Sequence, residues 1–501
     1  MDAVVTAFGM VFNTETLLII AASSIYGLFV GAVPGLTATM ALALLVPLTF
    51  FMDPIPALAA MVTTSAMAIF AGDIPGCLLR MPGTAASAAY TDESFAMSRN
   101  GHADTALGAG LVFSAIGGLF GTVVLIACAP ILAEFALNFT SFEYFWLILL
   151  GITCAIAISS DRPLKGGIML VLGFLVASVG LSNPAAFPRF TGGNTDLMGG
   201  IGFLPLLIGM FATSEIIRYA LDTKARPPII DQPIVNVFAG MWRLTVKYPV
   251  QIVRGSVLGT VVGALPGAGS DIAAWMSYAV SKKFSKEPEK FGTGHVEGIV
   301  ESGAANNSAL AGAWIPALVF GIPGDTLTAI VIGVLYMKNL NPGPTLFTTN
   351  PQNIYAIYIL FIFANLIMVP FGWATIKVAK RILAVPRAIL MPVILLFCIV
   401  GSFAMNNAAF DIGIMLVAGF VAYILEENDF PVAPAILGVV LGPMLEENLV
   451  KSMIKSDGHV ADFFERPIAG VLGVATLVVW TWPFLRIAIG RLRARQPRSA
   501  A

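Results

Sequence analysis

The sequence predicts an all-α polytopic membrane protein. Two inverted structural repeats carry Pro-Gly-broken helices, re-entrant or discontinuous, and one extra helix follows at the C-terminal end, giving about 11 to 14 membrane segments. Three observations predict this. Of 501 residues, 57% are hydrophobic and 11% charged, against roughly 25% charged in soluble domains. Gly27-x-x-x-Gly31-x-x-Pro34-Gly35 recurs as Gly259-x-x-x-Gly263-x-x-Pro266-Gly267. The basic residues around corresponding segments change sides between the two copies.

The elements follow in order. Apolar runs long enough to span a bilayer recur from residue 16 to residue 487. No Lys or Arg precedes Arg80, so the basic region of a signal peptide is missing. The first membrane repeat is expected over 14–220, starting outside. A polar, Pro-containing cytoplasmic linker covers 221–250. The second repeat covers 251–447, a final transmembrane helix 467–487, and a basic cytoplasmic tail 488–501 carries Arg491, Arg493, Arg495 and Arg498. Two further matches support duplication. Met81-Pro82-Gly83-Thr84-Ala85-Ala86-Ser87 resembles Ile322-Pro323-Gly324-Asp325-Thr326-Leu327-Thr328, and the run from Gly167 to Phe174 matches that from Gly413 to Phe420.

Charge orients the copies. The first Pro-Gly hairpin has no basic flank, whereas Arg243, Lys247, Arg254, Lys282, Lys283, Lys286 and Lys290 surround the second. The loop at 137–143 has no basic residue, but its counterpart has Lys377, Lys380, Arg381 and Arg387. The Arg162 and Lys165 loop is basic, but the one at Asn406 and Asn407 is not. Cytoplasmic loops attract Lys and Arg, so the copies read as inverted.

Four breaks carry the chemistry: Val33 to Thr39, Gly72 through Thr84 to Ser87, Leu265 to Asp271, and Gly321 to Thr326. Proline lacks a donor and glycine adds backbone freedom, so each frees backbone groups. In lipid these must face protein, water or ligand. Small and hydroxylated residues follow each break, placing N–H groups and hydroxyls at a new helix start that suits carboxylate or phosphate. Unwound carbonyls can coordinate Na⁺ instead. The charged candidates are Asp73, Arg80, Asp271, Asp325, Glu297 and Glu301, with Asn306 and Asn307 before the fourth break. Asp73 and Arg80 can pair with each other.

Other classes find no support. Net charge is −1, which argues against nucleic acid. Cys77, Cys128, Cys154 and Cys398 have no metal spacing. There is no phosphate loop, H-E-x-x-H or G-x-S-x-G, so no catalytic residue is assigned and no enzyme is expected.

These residues carry a resemblance to the tripartite tricarboxylate transporter family, large integral membrane subunit. It rests on Gly31-Ala32-Val33-Pro34-Gly35-Leu36, on Met81-Pro82-Gly83-Thr84 with Thr91-Asp92-Glu93, and on Gly263-Ala264-Leu265-Pro266-Gly267-Ala268-Gly269. It continues through Ala305-Asn306-Asn307, Gly321-Ile322-Pro323-Gly324 and Gly442-Pro443-Met444-Leu445-Glu446-Glu447-Asn448. The chain departs from the family pattern at Ala85, at Asp73 and Arg80, and at Val300-Glu301-Ser302-Gly303.

The resemblance implies a multi-pass protein of the bacterial inner membrane that takes up a di- or tricarboxylate by symport with Na⁺ or H⁺, without cofactor. It implies two partners, a small membrane subunit and a periplasmic solute-binding protein. The expected anion site comprises Pro34, Gly35, Leu36, Thr37, Thr39, Gly83, Thr84, Ser87, Pro266, Gly267, Ala268, Gly269, Ser270, Asn306, Asn307, Gly324 and Thr326. Asp271 and Asp325 are expected to hold the coupling ion, a Na⁺ being the only metal called for. An anion channel and a stand-alone symporter are the alternatives; counterflow separates carrier from channel.

Overall fold

Apolar, Gly-rich segments without alternating polarity fold as helices here, and among the described residues the only strand-like pairing is an isolated bridge between Gly180 and Arg189. The computed structural model describes residues 2–159, 163–181, 187–221 and 234–494. Arg162, residues 222–233 of the linker, Arg495 and Arg498 lie outside the described residues, as do the side chains of Arg387, Arg491 and Arg493.

The first half opens with α1 (Asp2–Val11), α2 (Thr14–Ala32) and α3 (Ala38–Phe50). Then α4 (Pro54–Ala71) runs almost directly into α5 (Asp73–Leu79), followed by the short α6 (Ala85–Ala88) and α7 (Thr91–Arg99). Next come α8 (Ala103–Ala136), α9 (Ser141–Ser159) and α10 (Pro163–Ala177). A composite helix closes this half: α11 (Phe203–Leu207), a π-helical turn (Ile208–Thr213) and α12 (Ser214–Leu221).

The second half follows. It comprises α13 (Met241–Lys247), α14 (Pro249–Gly263), α15 (Gly269–Phe284), α16 (Val296–Phe320), α17 (Thr326–Met337) and α18 (Pro344–Thr349). It continues with α19 (Pro351–Leu383), α20 (Arg387–Asn406), α21 (Ala409–Glu427), α22 (Val432–Lys455) and α23 (Pro467–Ala494). Among the described residues seven helices are long and apolar enough to cross a membrane, and seven shorter apolar helices accompany them. The chain is a polytopic all-α membrane protein.

Close helix packing comes from small residues, which let backbones approach in the absence of a hydrophobic drive between helices. Gly27 and Gly31 of α2 face Thr64 and Ala68 of α4, where an added Cβ would lie 2.8 and 2.4 Å from a carbonyl oxygen. Gly259 and Gly263 of α14 face Ala305 and Ala309 of α16 in the same way, at 2.3 and 2.2 Å. The stretch from α4 through α5 is enclosed on every side.

Two of the breaks are also built alike. At the end of α5, Arg80 turns left-handed (φ 56°), with its N–H on Gly76 O and that of Met81 on Pro75 O. At the end of α16, Gly321 turns left-handed (φ 68°), with its N–H on Ala317 O and that of Ile322 on Pro316 O. These are crossed C-terminal caps of the Schellman type. The sequence reading began its second break at Gly72, but helix resumes at Asp73 and runs through Pro75. Pro75 stands in the first turn of α5, where its missing N–H has no intrahelical acceptor to lose. The chain opens only at Arg80.

Candidate functional site

Four helix starts converge on one cavity of about 710 Å³. Thr37 caps α3 by accepting from Met40 N at 3.1 Å. Thr84 caps α6 in a reciprocal box, accepting from Ser87 N at 3.1 Å while its own N–H reaches Ser87 Oγ at 3.2 Å. Asp325 caps α17 in the same way, accepting from Thr328 N at 2.8 Å and donating its N–H to Thr328 Oγ1 at 2.9 Å. The start of α15 has no side-chain cap, so its first N–H groups are left for other partners.

The two halves touch across this space. The Thr39 and Thr326 hydroxyls are 3.0 Å apart. Asp271 Oδ1 accepts from Ala86 N at 3.1 Å, and Trp275 Nε1 donates to Ala85 O at 3.2 Å. Within the second half, Gly267 N donates to Gly324 O at 2.7 Å, which ties the third break to the fourth. Gly269, at φ 58°, brings α15 against Asp325: an added Cβ would sit 2.6 Å from Asp325 Cβ. Asp271 and Asp325 therefore border the same cavity, Asp325 buried and Asp271 open to it.

Of the predicted anion residues, Gly35, Thr37, Thr39, Gly83, Thr84, Gly267, Ala268, Gly269, Ser270 and Thr326 line the cavity, together with Asp271 and Asp325. Others stand just behind. Pro34 O accepts from Tyr219 OH at 2.7 Å. Ser87 is spent on the Thr84 cap, and the Gly324 carbonyl on Gly267. Leu36 turns into an apolar pocket with Tyr26 and Phe29, and Pro266 packs on Gly151.

Asn306 and Asn307 do not reach the cavity. Helix α16 is unbroken from Val296 to Phe320. At 1.5 Å per residue, that sets them roughly 20 Å before the break they precede in sequence. Asn306 Nδ2 donates to Tyr90 OH at 3.3 Å, and Asn307 Nδ2 to Ser114 Oγ at 2.7 Å. Glu297 and Glu301 lie further back still. Glu301 holds Arg254 through two bonds of 2.6 and 2.5 Å, and Glu297 accepts from Gln251 and Ser285. Asp73 and Arg80 do not pair. The left-handed turn at Arg80 sends its guanidinium outward to Asp92 at 2.9 Å, while Asp73 is buried and accepts from Tyr90 OH at 2.6 Å.

The cavity also has a wall that sequence reasoning missed, formed by Ser214, Glu215 and Arg218 of α12 with Glu426 at the end of α21. Arg218 bonds Glu215, Glu426 (2.7 Å) and Glu427 (3.3 Å). One signal was available: Glu215 and Arg218 are charges three apart in an otherwise apolar segment, the spacing of a helical ion pair. Tyr219, the next residue, fills the place of a side chain at Gly35: a Cβ there would fall 0.9 Å from the hydroxyl. Among described residues, the lining has one basic and four acidic side chains.

The model of the "Tripartite tricarboxylate transporter TctA family" matches residues 17–437. A relative from Agrobacterium vitis, an "Uncharacterized 52.8 kDa protein in TAR-I ttuC' 3'region", is 33% identical over 463 residues, 92% of each chain. A second from the same organism, an "Uncharacterized protein in TAR-II ttuC' 3'region", is 35% identical over 231 residues, 46% of this chain and 96% of the relative. No solved structure matches significantly.

Proposed function

This chain belongs to the tripartite tricarboxylate transporter TctA family, and we propose that it carries an organic anion through the 710 Å³ cavity by symport with Na⁺ or H⁺. The family is one of transporters, and its tripartite nature implies partner subunits. In the proposal these are a small membrane subunit and a periplasmic solute-binding protein, and the membrane is the bacterial inner membrane. The substrate is a di- or tricarboxylate.

The observation that carries the reading is the meeting of helix starts from both halves at one cavity, with Thr39 against Thr326. Free N–H groups at the start of α15 and the hydroxyls of Thr37, Thr39, Thr84, Ser270 and Thr326 are suited to carboxylate oxygens. An anion alone would meet four acidic side chains and one basic one. A cation between Asp271 and Asp325 offsets that repulsion, so cation and anion favour each other's binding. This is the thermodynamic core of symport. The two halves act as inverted repeats, a reading supported by the matched Gly–carbonyl contacts, the matched Schellman turns and the charge reversal along the sequence.

Reconstitution tests it. Proteoliposomes holding this chain, this chain with the small subunit, and all three proteins receive an imposed Na⁺ or H⁺ gradient. Only the full set is expected to accumulate carboxylate from a dilute medium. Equal accumulation by this chain alone would replace the tripartite reading with a stand-alone symporter.

A further inference from the structure

Asp73 begins α5, which packs against α2, α4, α6, α7, α8 and α19, and borders no part of the anion cavity. One carboxylate oxygen, Oδ1, accepts from Tyr90 OH at 2.6 Å, and that hydroxyl accepts from Asn306 Nδ2 at 3.3 Å. The other oxygen, Oδ2, has no donor, and neither has Asn306 Oδ1. Oδ2 faces the backbone of Gly110 on α8, where an added Cβ would lie 2.6 Å away. Opposite, Gly303 of α16 leaves a gap: a Cβ there would meet nothing nearer than 3.9 Å. The pattern continues along α8. One turn on, Asn307 Nδ2 donates to Ser114, and its Oδ1 has no donor. At the next turn, Asn365 Oδ1 lies against Gly118, also without a donor.

Such a row of orphan acceptors is costly inside a membrane protein. Water, a cation or a proton satisfies such an acceptor, and the tight packing of Asp73 against Gly110 favours the smallest of them, the proton. Among the described residues no basic side chain bonds Asp73. Arg80 is on Asp92, Arg254 on Glu301, and Lys377 on the Trp373 ring. The acidic groups of neighbouring helices are held elsewhere. Glu93 of α7 accepts from Gly294 N, His295 N and Tyr278 OH, and Asp104 of α8 accepts from Val235 N and Asn236 N. Glu297 of α16 accepts from Gln251 and Ser285, Glu15 stands in the first turn of α2, and Arg99 in the last turn of α7. Lys380 and Arg381 stand in the last turn of α19. Tyr90 and Cys77 are the titratable groups against Asp73 itself.

We propose that Asp73, with Tyr90 and Asn306, is a proton-binding site of the transport cycle, separate from the cation site between Asp271 and Asp325. Hydronium delivers the proton to Oδ2: one of its O–H bonds breaks as the acid O–H forms, giving the neutral acid and water. The proton turns the orphan acceptor into a donor, and Asn306, whose Nδ2 is on the same Tyr90 hydroxyl, carries in Oδ1 an acceptor without one. The transport part of this inference rests on the symporter reading above; the protonation part does not.

Two measurements test it. The first uses the complete transporter in proteoliposomes with a trapped pH dye. Substrate addition is expected to acidify the lumen in wild type, while Asp73→Asn retains substrate counterflow and loses the acidification. Undiminished acidification in Asp73→Asn overturns the proposal. The second is an infrared pH titration of the purified chain, which needs no transport. A buried carboxylic acid band is expected that moves in Tyr90→Phe and vanishes in Asp73→Asn. Absence of a titrating band sensitive to Tyr90→Phe overturns the proposal, even if Asp73→Asn fails to fold. A band present in a chain that never transports keeps the proton site and removes the symporter reading.

Discussion

At Arg80 and at Gly321 the chain makes the same left-handed turn, and four residues later the same reciprocal cap starts a new helix. In the first half that cap is Thr84 with Ser87; in the second it is Asp325 with Thr328. The left-handed residue is arginine in one and glycine in the other. Backbone geometry is thus matched while charge is not. The hydrogen-bonding task of a cap is met by threonine, so the carboxylate of Asp325 is surplus to the fold. A side chain that exceeds its structural need beside a polar cavity is the place to look for function.

The sharpest way to break this comparison is Asp325→Asn. Asparagine keeps an acceptor for Thr328 N and loses only the charge. Accumulation driven by a cation gradient is expected to fall at least ten-fold, with normal membrane insertion. Unchanged Na⁺ and pH dependence of uptake would clear Asp325 of any part in coupling.

Next in size is Gly35→Ala, which forces a Cβ into the Tyr219 hydroxyl at a position of φ 89°. A loss of about 2–3 kcal/mol is expected in unfolding from detergent, the upper part of the usual range for single substitutions. A double-mutant cycle with Tyr219→Ala is expected to show strong coupling between the two sites. Additive losses would mean that the tyrosine does not press on the turn.

Thr84→Ala is expected to cost about 1 kcal/mol, the ordinary value of a lost cap, and to leave cation dependence untouched. A change in cation dependence as large as that of Asp325→Asn would erase the contrast between the halves. Smallest is Arg80→Gly. It relieves a left-handed non-glycine residue, worth about 1–2 kcal/mol, and gives up an exposed pair with Asp92 worth about 0–1 kcal/mol. A slight gain in melting temperature is expected; a clear loss would show that the Arg80–Asp92 pair outweighs the strain.

What was legible in the sequence divides along physical lines. Helix breaks are local events, written by Pro-Gly pairs and the hydroxyls after them, so Gly35 to Thr39, Gly267 to Asp271 and Asp325 could be picked out directly. Asn306 and Asn307 were drawn in by nearness in sequence to Gly321, but an unbroken helix carries nearness in sequence away from nearness in space. Glu426 joins Arg218 across 208 positions, and no local pattern records such a meeting. Asp73 was visible as a charge in an apolar stretch, yet its partner Tyr90 stands on the far side of the break.

The π-helical turn at Ile208–Thr213 gives this architecture a genetic reading. Such a turn holds one residue more than an α-helix would over the same length. Everything after it, including Glu215 and Arg218, is rotated by about 100° relative to a regular helix. The turn takes up that extra residue, so a single-codon deletion between 208 and 213 that restored a regular helix would leave Glu215 and Arg218 facing the cavity, whereas winding the unshortened stretch as regular helix would swing both away from it. The arginine wall therefore depends on the length of this stretch and its winding being matched to each other.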